Sequence, residues 1–82
     1  MYKNRGKDGK LNLCGKKIAV LRKNLEPKVS QRALADKMQL LGIDIDKNAI
    51  QRIESGQRFV TDIELKVFAE VFGVSADELL SE

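Results

Sequence analysis

The chain has 82 residues, which is enough for one small domain and too few for two domains that each bury a core. Its composition is that of an ordinary globular protein, with 43% hydrophobic and 33% charged residues and a formal net charge of +3. Histidine is absent, and Cys14 is the only cysteine. The sequence therefore contains no histidine-based nucleophile pair, no internal disulfide and no thiolate or imidazole cluster for a metal.

These absences exclude the commonest kinds of active site, so we expect a protein that is not an enzyme and that holds no cofactor or metal. We expect the lone thiol of Cys14 to be inert, and a single cysteine is typical of a reducing compartment such as the cytoplasm. The longest apolar runs have three or four residues, far fewer than the roughly 20 that cross a bilayer. No apolar stretch follows the basic N-terminus, so we expect neither a signal peptide nor a membrane partner.

Charge is distributed unevenly along the chain. Residues 1–30 carry nine basic and two acidic side chains, residues 31–58 carry five and four, and residues 59–82 carry one and six. A chain with one positive and one negative end meets a polyanion in one orientation. Residues 1–12 combine four cations with two glycines and have no periodic apolar face. We therefore predict a flexible basic arm over residues 1–12 and a folded domain over residues 13–82.

Apolar residues recur every three or four positions in five segments, which predicts five short helices. The first helix is predicted over residues 15–25, and Pro27 ends it because the residue before a proline is displaced from the helical region. The second is predicted over residues 31–41, with Ser30 as its N-cap and Gly42 at its end.

The third helix is predicted over residues 47–55, with Asp46 as its N-cap and Gly56 in the left-handed conformation that ends many helices. The fourth begins at a capping box, residues 61–64, in which two side chains each bond an unpaired amide of the first turn, and it ends at Phe72.

A second capping box, residues 75–78, opens a short fifth helix, and the fold class is all-α. The second and third helices are joined by a short turn, which is the arrangement of a helix-turn-helix. Four apolar residues near the C-terminus either fill the core, which is the simpler interpretation, or form a self-association patch: Phe72, Val74, Leu79 and Leu80.

The third helix has one apolar and one polar face. With Ile50 and Ile53 directed inward, the opposite side carries Lys47, Asn48, Gln51 and Arg52. Arginine can bond guanine through two atoms, and asparagine or glutamine can bond adenine in the same way. A polar helix face is often simply solvated, but these residue types are those that read bases in the major groove of DNA.

The chain resembles the Cro/repressor-type helix-turn-helix family, also called XRE-type, from Lys16 to Leu80. The most specific match is the segment Arg-Ile-Glu-Ser-Gly at residues 52–56, followed seventeen residues after its glycine by Gly-Val-Ser at residues 73–75. Further matching positions are Ile18, Leu21, Arg22, Ser30, Gln31, Leu34, Ala35, Ile50, Arg58, Leu65, Ala69, Phe72, Glu78, Leu79 and Leu80. The resemblance implies a compact five-helix repressor-like domain whose third helix lies in the major groove of duplex DNA.

The resemblance also implies roles for individual residues. Base contacts are implied for Lys47, Asn48 and Arg52, and we expect one of Gln51 as well, although that position is more often peripheral in the family. Phosphate contacts are expected of Gln31, Arg58, Lys16 and Lys17. Gln31 and Arg58 match family positions, whereas Lys16 and Lys17 are chosen for their charge alone. Arg22 and Glu54 match a structural salt bridge that fixes the third helix against the first.

The chain departs from the family between Ala35 and Ile50, where it has five residues more than the common spacing. This enlarged connector contains Asp44 and Asp46, whose carboxylates would oppose a nearby phosphate backbone unless they cap helix ends or are held away. Val60 stands where the family commonly has a proline. These departures leave the fold intact and bear on the angle at which the third helix docks.

The sequence thus favours a small cytoplasmic transcriptional regulator that binds double-stranded DNA as a homodimer on a two-fold symmetric site. One such module buries about 600–1,000 Å² on DNA, and a pair buries roughly twice that area. The alternative is a protein-interaction module, such as an antitoxin-like partner, built on the same helices. DNA binding would depend steeply on salt, because each neutralised phosphate releases counterions, whereas an apolar protein contact would not.

Overall fold

The structure is a computed structural model that describes residues 9–81. These residues form five helices, α1 (Gly15–Asn24), α2 (Gln31–Leu40), α3 (Lys47–Glu54), α4 (Asp62–Phe72) and α5 (Ala76–Leu80). Each helix lies within one residue of the predicted bounds, and the part of the chain that the structure describes has no strand. The predicted all-α, five-helix fold is confirmed.

Short polar side chains start four of the helices. Ser30 and Asp46 accept hydrogen bonds from the backbone amide three residues further on, at 3.0 and 2.8 Å, and so begin α2 and α3. Thr61 and Glu64 form the complete capping box of α4, with bonds of 3.1 and 3.0 Å. Ser75 accepts the corresponding bond in α5 at 3.1 Å. Its amide does not donate to the carboxylate of Glu78, so the second predicted capping box is only half formed.

The core lies where the apolar sides of the helices meet. α3 packs between α1 and α2, α4 packs against α1 and α2, and α5 packs on α4. The largest fully buried side chains are Phe68, Ile18, Leu34, Met38, Ile50, Ile53 and Leu79. Because α3 is covered from two sides, only its remaining side is open to a ligand.

The C-terminal apolar residues mainly fill this core. Leu79 is fully buried, and Phe72 and Val74 are half-buried against it. Leu80 is the only member of the four that is exposed, at 40%. The structure therefore supports core filling for these residues and provides no four-residue self-association patch.

The five additional residues between α2 and α3 lengthen the connector and not the helix. Gly42 ends α2 with a φ of 89°, a conformation that L side chains rarely adopt, and the amide of Ile43 donates to the last turn of α2 at 3.0 Å. The side chain of Gln39 donates to the carbonyl oxygen of Ile45 at 2.9 Å, and Ile45 is buried. The connector is thus fixed to α2 at one end and to the core at the other.

Candidate nucleic-acid interface

α3 is buried along one side and exposed along the other. Ile50 and Ile53 are fully buried, and Ala49 is nearly so. The four predicted base-contacting side chains are all exposed, and none of them is hydrogen-bonded or ion-paired to another part of residues 9–81: Lys47, Asn48, Gln51 and Arg52. We call these four residues the outward face of α3.

The outward face is short and rich in donors. Lys47 and Gln51 are one helical turn apart, as are Asn48 and Arg52, so the four side chains form a compact group. Between the first and last of them the helix rises by about 7.5 Å, the length of roughly two base-pair steps. A major groove is wide enough to admit an α-helix, so this group can face two or three adjacent base pairs.

The two carboxylates of the connector differ in their surroundings. Asp46 is the N-cap of α3, and its Oδ1 accepts from the amide of Ala49 at 2.8 Å. That bond answers the sequence-based concern about Asp46, because the carboxylate serves the helix end. Asp44 is exposed and has no bonded partner within residues 9–81, so its charge still opposes a phosphate that approaches the start of α3.

A bidentate ion pair links α3 to α1. Arg22 donates through Nε and Nη2 to the two carboxylate oxygens of Glu54, at 2.7 and 3.0 Å. These side chains are only 11% and 9% exposed. Arg22 also donates to the carbonyl oxygen of Val29 at 3.0 Å. The two residues that the family resemblance pairs are therefore bonded to each other, at the end of α3 opposite to Asp46.

Gln31 joins this ion pair and does not stand free. Its Nε2 donates to Oε1 of Glu54 at 3.0 Å, which connects the first residue of α2 to the last residue of α3. The amide side chain has a second N–H and a carbonyl oxygen, so a phosphate contact remains compatible with this bond. The family resemblance did not indicate that Gln31 also serves the ion pair.

Arg58 has a role that the sequence analysis missed. Its guanidinium donates to both carboxylate oxygens of Glu64 at 3.0 Å, and also to the carbonyl oxygen of Phe59 at 3.0 Å. The bond from Arg58 holds the pKa of the buried Glu64 carboxyl below its ordinary value, and the same bond raises the pKa of Arg58. The phosphate contact that the family resemblance implies for Arg58 stays a prediction, and the guanidinium that it would use is bonded to Glu64.

Asn12 forms a second link to the end of α3. Its Nδ2 donates to the carbonyl oxygens of Ile53 and Arg58, at 3.0 and 2.8 Å, and its Oδ1 accepts from the amide of Gly15 at 2.7 Å. A single amide side chain therefore connects the start of α1, the end of α3 and the loop that follows α3. In the sequence, only the position of Asn12 shortly before the predicted first helix could have indicated one of these bonds, the one to the amide of Gly15.

Two residues before Asn12 bond the same region. Lys10 donates from Nζ to the carbonyl oxygen of Ser55 at 2.9 Å, and the amide of Leu11 donates to the carbonyl oxygen of Gly56 at 2.9 Å. Gly56 has a φ of 79°, and a Cβ at this position would collide with the side chain of Lys10.

The boundary of the basic arm at residue 12 stays a prediction. Three residues of the predicted arm, 10–12, bond to backbone carbonyls at the end of α3. Such bonds need no periodic apolar residues, and apolar periodicity was the signal on which the boundary rested. Residues 1–8, the rest of the predicted arm, lie outside the described residues.

Lys16 and Lys17 lie in the first turn of α1. They follow Gly15, which packs so closely on α3 that a Cβ at this position would collide with the carbonyl oxygen of Ile53. Lys16 is exposed and Lys17 is half-buried. Neither forms an ion pair within residues 9–81.

The remaining chemically notable group is the Cys14 thiol. Only 1% of Cys14 is exposed, and burial raises the pKa of its thiol to about 11, so it is protonated at neutral pH. Within residues 9–81, no three acidic or cysteine side chains are grouped to hold a metal ion. In the same range, no helix has both the length and the apolar character that crossing a membrane requires.

Comparison with known families settles what kind of domain this is. A family model described as helix-turn-helix matches residues 18–79, which include all of α2, the connector and α3. The chain belongs to the XRE-type helix-turn-helix family. Neither a search of the curated proteins nor a search of the solved structures found a match.

Membership of the XRE-type family makes this chain a DNA-binding helix-turn-helix regulator at the level of its family. In this XRE-type domain, α2 and α3 are the helix pair, and the enlarged connector replaces the usual short turn. The Arg22–Glu54 ion pair and the bonds of Asn12 hold the C-terminal end of α3, and the outward face of this helix is exposed.

Proposed function

We propose that this XRE-type protein binds duplex DNA in a sequence-specific manner with α3 in the major groove. The observation that supports the proposal most is the outward face of α3, where four exposed side chains able to bond bases have no protein partner in the described residues. Since these groups form no bond within residues 9–81, binding DNA requires none of the described protein bonds to be broken. The four base contacts are Lys47, Asn48, Gln51 and Arg52.

The proposed phosphate contacts come from the first turns of α1 and α2. Gln31, at the N-terminus of α2, retains a free N–H group, and Lys16 and Lys17 of α1 form no ion pair within residues 9–81. A helix N-terminus also favours an anion through its unpaired amides. We assign Arg58 to its ion pair with Glu64 and no longer to a phosphate.

The biological role that follows is transcriptional regulation by occupancy, in which the bound protein excludes or recruits polymerase at a promoter in the cytoplasm. We further propose that two copies bind a two-fold symmetric site. One face of about two or three base pairs is too short to define a site, and a second copy one helical turn away, about 34 Å, doubles the number of bases read.

Selection from a random duplex DNA pool at about 100–150 mM salt tests the proposal, because non-specific electrostatic binding is already weak at that ionic strength. We expect enrichment of a motif with two-fold symmetry. Arg52→Ala should lose part of that motif, and the matched control Lys66→Ala, which removes an exposed cation from α4, should retain it. Failure of the folded protein to enrich any sequence would contradict the proposal.

The alternative, a protein-interaction module such as an antitoxin-like partner, is favoured by one observation. Several large apolar side chains are exposed away from the outward face, notably Leu40 at 86%, Ile63 at 66% and Phe59 at 53%. Salt dependence separates the two functions. DNA affinity should fall steeply and log-linearly with salt, whereas an apolar protein contact should change little.

A further inference from the structure

The end of α3 is held by a segment whose described bonds reach backbone carbonyl oxygens. Residues 10–15, which we call the clamp, donate to the carbonyl oxygens of Ile53, Ser55, Gly56 and Arg58. Helix C-termini carry carbonyl groups without a partner inside the helix, and such groups need donors from elsewhere. The clamp supplies these donors and so ties the last turn of α3 to the start of α1.

Asn12 is the centre of the clamp. Its side chain makes three bonds of 2.7 to 3.0 Å, and every polar atom of the amide is used. The two donated bonds reach α3 and the loop after it, and the accepted bond caps α1. Gly15 lets the two elements approach, because any side chain there would collide with the carbonyl oxygen of Ile53.

We propose that Asn12 is a positioning residue for DNA recognition, which sets the tilt of α3 and thereby the sequence preference of the protein without touching DNA. This inference depends on the proposed function, because it assigns a role in base reading. α3 has eight residues and is about 12 Å long, so a tilt of about 10° about its held end moves the other end by about 2 Å. Recognition geometry must hold to within about 0.5 Å, so such a tilt would misplace the outward face.

The substitution Asn12→Asp isolates the link to α3. Aspartate has nearly the shape of asparagine and keeps the acceptor for the amide of Gly15, but it has no donor for the carbonyl oxygens of Ile53 and Arg58. Asn12→Ser is the second variant. It retains a short acceptor for α1 and carries no charge, so it serves if the aspartate variant fails to fold.

The experiment measures affinity for the selected duplex and for the same duplex with one base pair of the motif changed, at a temperature where every variant is folded. Val67→Ala, a core substitution in α4, is the stability control, and the melting temperatures of all variants are recorded. We expect the ratio of the two affinities to fall at least about fivefold in the Asn12 variants, the discrimination of one base contact, and to be unchanged in Val67→Ala. A ratio that is unchanged in both Asn12 variants would overturn the proposal.

Backbone hydrogen exchange distinguishes this failure from failure of the proposed function. The amides of Gly56 and Gln57 close the last turn of α3 at 3.0 and 2.8 Å. We expect them to exchange faster in the Asn12 variants than in Val67→Ala, relative to the amides of α4. If the unmodified protein prefers no DNA sequence, the proposed function is overturned. Amide hydrogen exchange then still tests whether Asn12 holds the end of α3. Equal exchange in all variants would show that Asn12 does not hold the end of α3.

Discussion

The outward face of α3 and its C-terminal end differ in how their polar groups are bonded. On the outward face, four long polar side chains are exposed and have no partner among residues 9–81. At the C-terminal end, the Glu54 carboxylate accepts three bonds, and the terminal carbonyl oxygens accept bonds from residues 10–12. The same eight-residue helix is therefore fixed at its C-terminal end, while the side chains of its outward face have no bonded partner in the described residues.

This difference shows how a small domain can present a rigid surface. A helix of eight residues is too short to be stable alone, so its position depends on what holds it. The buried bonds behind α3 fix the helix before DNA arrives, and a fixed surface loses less conformational entropy on binding than a mobile one. Substitutions at the held end should therefore change stability, and substitutions on the outward face should change only DNA binding.

The largest expected effect is at the held end. Glu54→Ala removes three hydrogen bonds and leaves the guanidinium of Arg22, only 11% exposed, without its partner. We expect the free energy of unfolding to fall by about 3–5 kcal/mol, as for other broken buried pairs. Denaturant unfolding measures this, with Glu70→Ala as the control because Glu70 is an exposed carboxylate of α4.

A double-mutant cycle with Arg22→Ala shows whether that loss comes from the pair itself. The sum of the two single losses should exceed the loss in the double variant by at least about 0.5 kcal/mol. Additive losses would mean that the two residues do not stabilise the fold through each other, and the comparison between the two sides of α3 would lose its main support.

On the outward face, Arg52→Ala should change the free energy of unfolding by no more than about 0.5 kcal/mol, because Arg52 is exposed and its side chain has no partner in residues 9–81. Its affinity for the selected duplex should fall by about 1–3 kcal/mol, with relaxed preference at one base position. Fluorescence titration measures the affinity, and Lys66→Ala is again the matched control. An equal loss on every sequence would reassign Arg52 to a phosphate contact.

Arg58 was predicted to contact DNA but is bonded within the protein, so Arg58→Ala tests whether it affects stability or DNA binding. Loss of the guanidinium leaves the buried carboxylate of Glu64 without two of its three bonds, so we expect a stability loss of about 1–3 kcal/mol. DNA affinity of the folded variant should change little. Unchanged stability combined with a uniform loss of affinity would restore the phosphate contact for Arg58.

The smallest expected effect is a pH dependence that reports on the same ion pair. The bond from Arg58 lowers the pKa of Glu64 in the folded protein, so this carboxylate stabilises the fold above its ordinary pKa of 4.5 and loses that contribution as pH falls through the lowered folded value. The stability difference between the parent and Glu64→Gln should therefore narrow below pH 4.5, by up to about 1 kcal/mol. A difference that is constant with pH would contradict this role.

The helices and the outward face could be predicted because they depend on local signals. The N-caps Ser30, Asp46 and Thr61 are short-range chemistry, and the apolar spacing of Ile50 and Ile53 determines which side of α3 faces water. Each of these features involves residues within one or two helical turns, so the sequence alone displays them.

The bonds of Asn12 and Arg58 could not be predicted in the same way. Asn12 reaches Ile53 and Arg58 across 41 and 46 residues, and no periodic pattern records such a separation. The family resemblance implies a phosphate contact for Arg58 from its position in the loop after α3, and a position in the sequence does not show which carboxylate the side chain bonds. Its partner, Glu64, had already been assigned to a capping box, and one carboxylate serves both bonds.

We expect DNA to contact the outward face of α3 while the bonds at the C-terminal end of this helix remain formed. Titration of isotope-labelled protein with the selected duplex at about 150 mM salt, followed by amide and side-chain NMR signals, tests it most directly. We expect the largest changes at Lys47, Asn48, Gln51 and Arg52, smaller ones at Gln31, and none in α5. Changes concentrated at the exposed apolar residues Leu40, Phe59 and Ile63, with the outward face unaffected, would contradict it.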